Sequence, residues 1–186
     1  MDIVLQQRFD ETTFIEACIN NERWAQKKLY EDNYSTMMTL ALRYANCNDD
    51  ALDILHEGFI KVFKNMYKYH VGTSLQAWIK RIIINTAIDY YRKEVRRKEE
   101  DLELAYNVSS NEPDAISNMS SEEILKALQQ LSYSYRSVFN LYVIEGYSHK
   151  EIGEMMHITE STCRSNLVKA RTKLKNILLG DDENVR

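Results

Sequence analysis

The sequence predicts an all-α protein: two small helical domains joined by an acidic linker, the C-terminal one a helix-turn-helix. Three observations carry this. Among 186 residues there is one proline and there are five glycines, too few turn formers for a many-stranded β architecture. Apolar residues recur three and four apart nearly throughout. The charge also changes sign in blocks. Residues 78–98 hold seven Lys/Arg against two Asp/Glu, residues 99–123 hold eight acids and no base, and residues 135–178 hold seven bases against four acids. The implied division is 1–98 for the first domain, 99–119 for the linker and 120–186 for the second domain.

Each element has its own signal. One helix is expected from about Glu11 to Ile19 and a second from about Glu22 into the mid-forties, ending near "ANCNDD". In "DDALDILHEGFIKVFKNM", Ala51, Leu55, Phe59, Val62 and Met66 fall on one stripe of an amphipathic helix, with Asp50, Asp53 and Glu57 on another face. After "YKYHVGTS", Ser74 can cap a long helix that carries Leu75, Ile79, Ile82 and Ile83 inward. Residues 99 to about 119 contain the only proline and show no sustained period, as a linker would. Ser120 with Glu123, and later Ser148 with Glu151, fit capping boxes that restart helices.

The second domain centres on "GYSHKEIGEMMHITESTCRSNLVKARTKL". A short helix ends at Met156, "HIT" is a tight connection, and Thr159 is placed to cap the next helix. There Cys163, Leu167, Ala170, Leu174 and Leu178 form the inward stripe. Ser161, Arg164, Ser165, Val168, Thr172 and Lys173 face out. A short helix, a brief turn and a longer helix with a polar-basic face describe a helix-turn-helix, whose second helix fits a DNA major groove.

Composition excludes several classes. The net charge of −4 argues against a uniformly basic nucleic-acid binder, but two basic blocks around an acidic one leave that role open. No apolar run approaches the roughly 20 residues of a membrane span, and "MDIVLQQRFDE" does not read as a signal peptide, so a cytoplasmic protein is expected. Cys18, Cys47 and Cys163 are far apart and suit small buried apolar positions. The four histidines lack metal-ligand spacing, so no metal and no cofactor are expected. Without a phosphate loop, a GxSxG elbow or an HExxH pair, no enzyme activity and no small-molecule substrate are expected.

Two stretches together are more specific than either alone. "DDALDILHEGFIKVFKNM" with "SLQAWIKRIIINTAIDYYRK", followed across an acidic linker by "LSYSYRSVFNLYVIEGYSHKEIGEMMHITESTCRSNLVKARTKL", resembles an extracytoplasmic-function (group 4) sigma factor of bacterial RNA polymerase. The resemblance covers roughly residues 10–180. It implies a promoter-specificity subunit whose partners are the polymerase core (the β′ clamp helices and the β flap), promoter DNA and an anti-sigma factor, often membrane-anchored. It further implies that Asp50, Asp53, Ile54, His56, Glu57 and Phe59 dock on the clamp helices. Tyr69, His70, Trp78, Arg81 and Asn85 would hold the opened −10 strand, and Arg92, Lys93, Arg96 and Arg97 the upstream backbone. Thr162, Arg164, Ser165, Lys169 and Arg171 would read the −35 element.

The chain departs from the family pattern at several places. His56 replaces a usual glutamine, "YHVGTS" a usual aromatic-Arg-Gly run, Ser132 a proline, Cys163 a valine, and His157 a turn glycine. Trp78 reads equally as core and as a DNA contact, whereas Tyr90 and Tyr91 read as packing. The alternative function is a stand-alone helix-turn-helix regulator that binds operator DNA without polymerase.

Overall fold

A computed structural model describes residues 10–101 and 121–179, with side chains for 10–93 and 123–179. Among the described residues eight α-helices follow one another: α1 Glu11–Ile19, α2 Arg23–Leu42, α3 Asn48–Asn65, α4 Leu75–Asp101, α5 Ser121–Gln129, α6 Tyr133–Phe139, α7 His149–Met156 and α8 Glu160–Leu179. A 3₁₀ turn, Met66–Lys68, extends α3, and a π-helical turn, Asn140–Ile144, extends α6. No strand occurs among the described residues.

The first four helices form a bundle in which α3 packs on α2 and α4. The α3 stripe is buried as its spacing requires, from Ala51 through Leu55, Phe59 and Val62 to Met66. Gly58 permits the close approach of α3 to α4, because a Cβ there would lie 2.3 Å from Ile83 Cδ1. The Ser74 hydroxyl accepts from the Ala77 amide at 3.2 Å and so caps α4. This helix runs to Asp101, three residues beyond the expected domain boundary at Lys98. The expected Ser120 cap and residues 102–119 of the expected linker lie outside the described residues.

In the second half α6 and α7 pack on α8. The Ser148–Glu151 capping box forms in full, and Thr159 Oγ1 accepts from the Thr162 amide at 3.0 Å. His157 takes up the left-handed conformation, φ 55°, that its place in the turn demands. Cys163, Leu167, Ala170 and Leu174 are buried. Cys18 is buried as well, but Cys47, expected inside, is exposed at the start of α3, where its backbone leads into the helix.

The two halves share one apolar core, in which Val138, Leu141, Ile152 and Leu167 join the residues of the first bundle. The seam is polar at its edges. Arg136 of α6, only 1 % exposed, donates to Tyr44 O and Ala45 O just past the end of α2. Asn140 Nδ2 donates to Arg43 O, and Glu145 pairs with Arg43 at 3.3 Å and Lys80 at 2.5 Å. Tyr133 stacks on Tyr91 and donates to Ala87 O, while Arg92 donates to Met155 O. Ile84, Ala87 and Ile88 are buried in addition to the expected inward residues Ile79 and Ile83. α4 is therefore buried over a wider arc than one stripe.

Candidate polymerase and promoter interfaces

On α3, the acids and apolar residues expected to meet a partner separate into two sets. Asp53 and His56 are exposed. Asp50 accepts from the Tyr90 hydroxyl at 2.9 Å, and Glu57 pairs with Lys61 at 3.5 Å and Lys93 at 3.4 Å. Ile54 and Phe59, by contrast, are buried in the bundle's own core, with Phe59 edge-on to Tyr30. They position the helix and cannot supply contact area from there. The exposed apolar residue on the acidic face is Ile60, which is 51 % exposed and stands seven residues after Asp53.

The same division holds at the loop before α4. Tyr69 is only 6 % exposed, and its hydroxyl lies 2.9 Å from a Glu11 carboxylate oxygen and 2.5 Å from Thr73 O. Its ring is held inside and cannot stack on a base in this arrangement. Tyr67, 65 % exposed with the Lys68 ammonium 5.4 Å from its ring, is the aromatic that the loop presents. The signal was in the spacing: Val62, Met66 and Tyr69 continue the buried stripe through the 3₁₀ turn, which turns Tyr67 outward. His70 is exposed on the same loop.

Along α4, Trp78, Arg81, Asn85 and Arg92 share one stripe, three, four and seven residues apart. Arg81 and Asn85 are exposed, while Trp78 is half-buried with its ring 5.6 Å from that of Tyr69. Core packing and an accessible edge thus coexist at Trp78. Arg92 is half-buried: it pairs with Asp89 at 3.5 Å and donates to Met155 O across the seam. Lys93 is exposed beside Glu57. Arg96 and Arg97 lie on α4, but their side chains are outside the described residues.

The outward face of α8 is open. Thr162, Arg164, Ser165, Lys169 and Arg171 are all exposed. Arg164 pairs with Glu160 at 2.5 Å, and its hydrogen bond and charge hold the Glu160 carboxyl below the usual carboxylate range. The Arg171 guanidinium lies 6.0 Å from the Tyr142 ring, toward one side of the face. Val168, at 62 % exposure, adds an apolar residue to this face. No group of three or more His, Cys, Asp or Glu that could hold a metal is found among the described residues, and no described helix is long and apolar enough to cross a membrane.

These features define a two-part, all-helical DNA-binding protein: a four-helix bundle with an exposed acidic face and a long polar-basic helix, and a helix-turn-helix with an open recognition face. Residues 29–97 match the Sigma-70 region 2 family and residues 121–174 the Sigma-70, region 4 family. The chain belongs to the sigma-70 family of RNA polymerase sigma factors, in its extracytoplasmic-function group. It is 30% identical over 156 residues to the ECF RNA polymerase sigma factor SigE of Mycolicibacterium smegmatis, covering 81% of this chain and 60% of that protein. It is also 30% identical over 138 residues to the RNA polymerase sigma factor SigZ of Bacillus subtilis, covering 72% of this chain and 76% of that one. Among solved structures, the sigma factor RpoE of Bartonella quintana, in complex with the anti-sigma factor NepR, shares the fold with a TM-score of 0.54 at 20% identity, covering 82% of this chain and 96% of that chain.

Proposed function

We propose that residues 1–98 dock on core polymerase and hold the −10 element, that residues 99–119 link, and that residues 120–186 read the −35 duplex. Asp53, His56 and Glu57 with Ile60 form the polymerase-facing surface of α3, where acids give orientation and the apolar residue gives contact area. Tyr67, His70 and the exposed edge of Trp78 offer flat surfaces to unstacked bases, and Arg81 and Asn85 offer polar contacts beside them. Arg92, Lys93, Arg96 and Arg97 then follow the upstream backbone. On α8, Arg164, Ser165 and Lys169 reach base edges and phosphates, with Thr162 and Arg171 at the margins and Val168 suited to a thymine methyl.

The observation that carries this reading is the open recognition face of α8 on the same chain as the aromatic loop and polar stripe of α4. A stand-alone operator-binding regulator would need only the first of these. The reading further includes a cytoplasmic location, an anti-sigma partner such as that of the RpoE structure, and no chemistry of its own. Run-off transcription with core polymerase, with and without the chain, tests it. A promoter-dependent product that appears only with the chain is expected. Arg164→Ala and Lys169→Ala should each cost about 1–3 kcal/mol in promoter use. A chain that binds duplex tightly and specifically yet gives no product with core would refute the proposal.

A further inference from the structure

The loop between the 3₁₀ turn and α4 is shaped by a side chain that does not itself reach DNA. Tyr69 Oη lies 2.5 Å from Thr73 O and 2.9 Å from Glu11 Oε1. The tyrosine thus opens the loop with its backbone and touches the loop's far end with its hydroxyl. The same oxygen reaches the first residue of α1. Its ring stands 5.6 Å from that of Trp78, in the first turn of α4. One buried side chain therefore ties together both ends of the loop, α1 and the start of α4.

Between those ends the backbone makes a tight turn. The Thr73 amide donates to His70 O at 3.2 Å, and the Thr73 hydroxyl donates to the same oxygen at 2.7 Å. Gly72 has φ 89°, the value that the third residue of a type II turn takes. A Cβ there would meet no atom within 4 Å, so glycine is required by the backbone and not by crowding. The turn carries His70 and Val71 at its crest, both exposed. A short exposed loop pays conformational entropy to hold one shape, and here the strut from Tyr69 to Thr73 meets that cost within the folded chain.

The count of protons divides the hydroxyl between two uses. A phenol has one O–H to give, while a backbone carbonyl and an ionised carboxylate can only accept. Thr73 O and Glu11 Oε1 therefore share the proton or take it in turn. The Thr73 contact closes the loop on itself, and the Glu11 contact fixes the strut to α1, a helix to which the promoter-reading roles assign nothing.

We propose that the Tyr69 hydroxyl is a positioning group for −10 recognition: it holds the His70–Thr73 turn in the form that presents His70 and Val71 to the opened strand, and Glu11 anchors that strut to α1. The proposal rests on the −10 role given to this loop above. Neither Tyr69 nor Glu11 touches DNA. Both act by ordering the turn before the strand arrives, so that binding does not have to order it.

The test uses the full chain carrying Tyr69→Phe, which removes one oxygen and keeps the ring beside Trp78. Three quantities are read: the rate of open-complex formation with core polymerase, the preference among bases across the −10 element, and the amide NMR shifts of Gly72 and Thr73 in the free chain. We expect open-complex formation about fivefold slower, a comparable loss of base preference, and displaced Gly72 and Thr73 amides, with affinity for core polymerase unchanged. Glu11→Ala should give a smaller loss of the same kind, because the Thr73 contact remains, and Glu11→Gln, which keeps an acceptor, should recover most of it. Gly72→Ala strains the turn without touching the hydroxyl and should match Tyr69→Phe. A Tyr69→Phe chain whose urea midpoint falls while its base preference stays intact overturns the proposal, as do unmoved Gly72 and Thr73 amides. If the wild-type chain yields no promoter-dependent product, the proposed function fails, and the amide shifts alone still decide whether the hydroxyl positions the turn.

Discussion

The approach of α3 to α4 rests on a single missing methyl group, and a double-mutant cycle can measure it. A Cβ on Gly58 would sit 2.3 Å from Ile83 Cδ1 and 3.6 Å from its Cγ1, so an alanine methyl would nearly occupy the space of one isoleucine methyl. Gly58→Ala alone should gain about 1 kcal/mol of helix propensity. It should lose about 1–3 kcal/mol to overpacking against a buried side chain. The net is a loss of up to about 2 kcal/mol. Ile83→Val alone removes Cδ1 and leaves a methyl-sized void, at about 0.5–1.5 kcal/mol. Combined, the new methyl fills the vacated volume, so both packing penalties fall away while the propensity gain remains. The double variant should be at least as stable as the parent, with a coupling energy of about 1.5–4.5 kcal/mol, the sum of the two relieved penalties. Urea unfolding of the four proteins, read from midpoints at constant m, provides the numbers. Additivity within about 0.5 kcal/mol would show that the two sites do not share this space.

Two further outcomes follow from the same geometry. Tyr67→Ala should leave stability nearly unchanged yet weaken open-complex formation by about 1–3 kcal/mol, the scale of one stacked base; Tyr69→Ala should instead lower the unfolding midpoint, and equal effects on stability would contradict the burial of Tyr69. Hydrogen bonds from the Ser148 hydroxyl and amide hold the Glu151 carboxyl below its ordinary value. Its contribution is therefore present above the unfolded value of about 4.3 and is lost as pH falls through the lower folded one. Glu151→Gln should flatten the fall of the melting temperature between about pH 5 and pH 3.5, and an unaltered acid dependence would argue against the capping box.

Elements governed by local rules were legible in the sequence. The α3 stripe, the Ser148–Glu151 box, the Thr159 cap and the two faces of α8 all follow from spacing and residue type, and each lies where that spacing puts it. Features set by contacts distant in sequence were not legible. Ile82, Ile83 and Ile84 are consecutive, so periodicity cannot distinguish a helix packed on one side from one packed on two. Phe59 belonged at once to the buried stripe and to the expected docking face, and packing decided in favour of the stripe. Arg136 gave no signal, because its acceptors are backbone carbonyls of helix ends, which no side-chain pattern records. Tyr69 lies inside because the 3₁₀ turn keeps a spacing of three from Met66, which the helical period of α3 does not anticipate.

The basic block of α4 also means something different once its partners are counted. Its excess positive charge invites a reading of free cations waiting for phosphate. In the folded chain Lys80 is on Glu145, Arg92 is on Asp89 and Met155 O, and Lys93 is beside Glu57. Arg81, on the exposed stripe, is committed to none of these ties. DNA therefore competes with internal acceptors for three of these cations, and a phosphate that displaces a carboxylate gains much less than one that meets a bare ammonium. Counterion release scales with the phosphates newly neutralised. The folded chain thus offers phosphate fewer uncommitted cations than its local charge suggests. Glu57 belongs both to this ion-pair set and to the proposed polymerase face, so its capture by a basic partner would release Lys93 at the moment DNA is to be gripped.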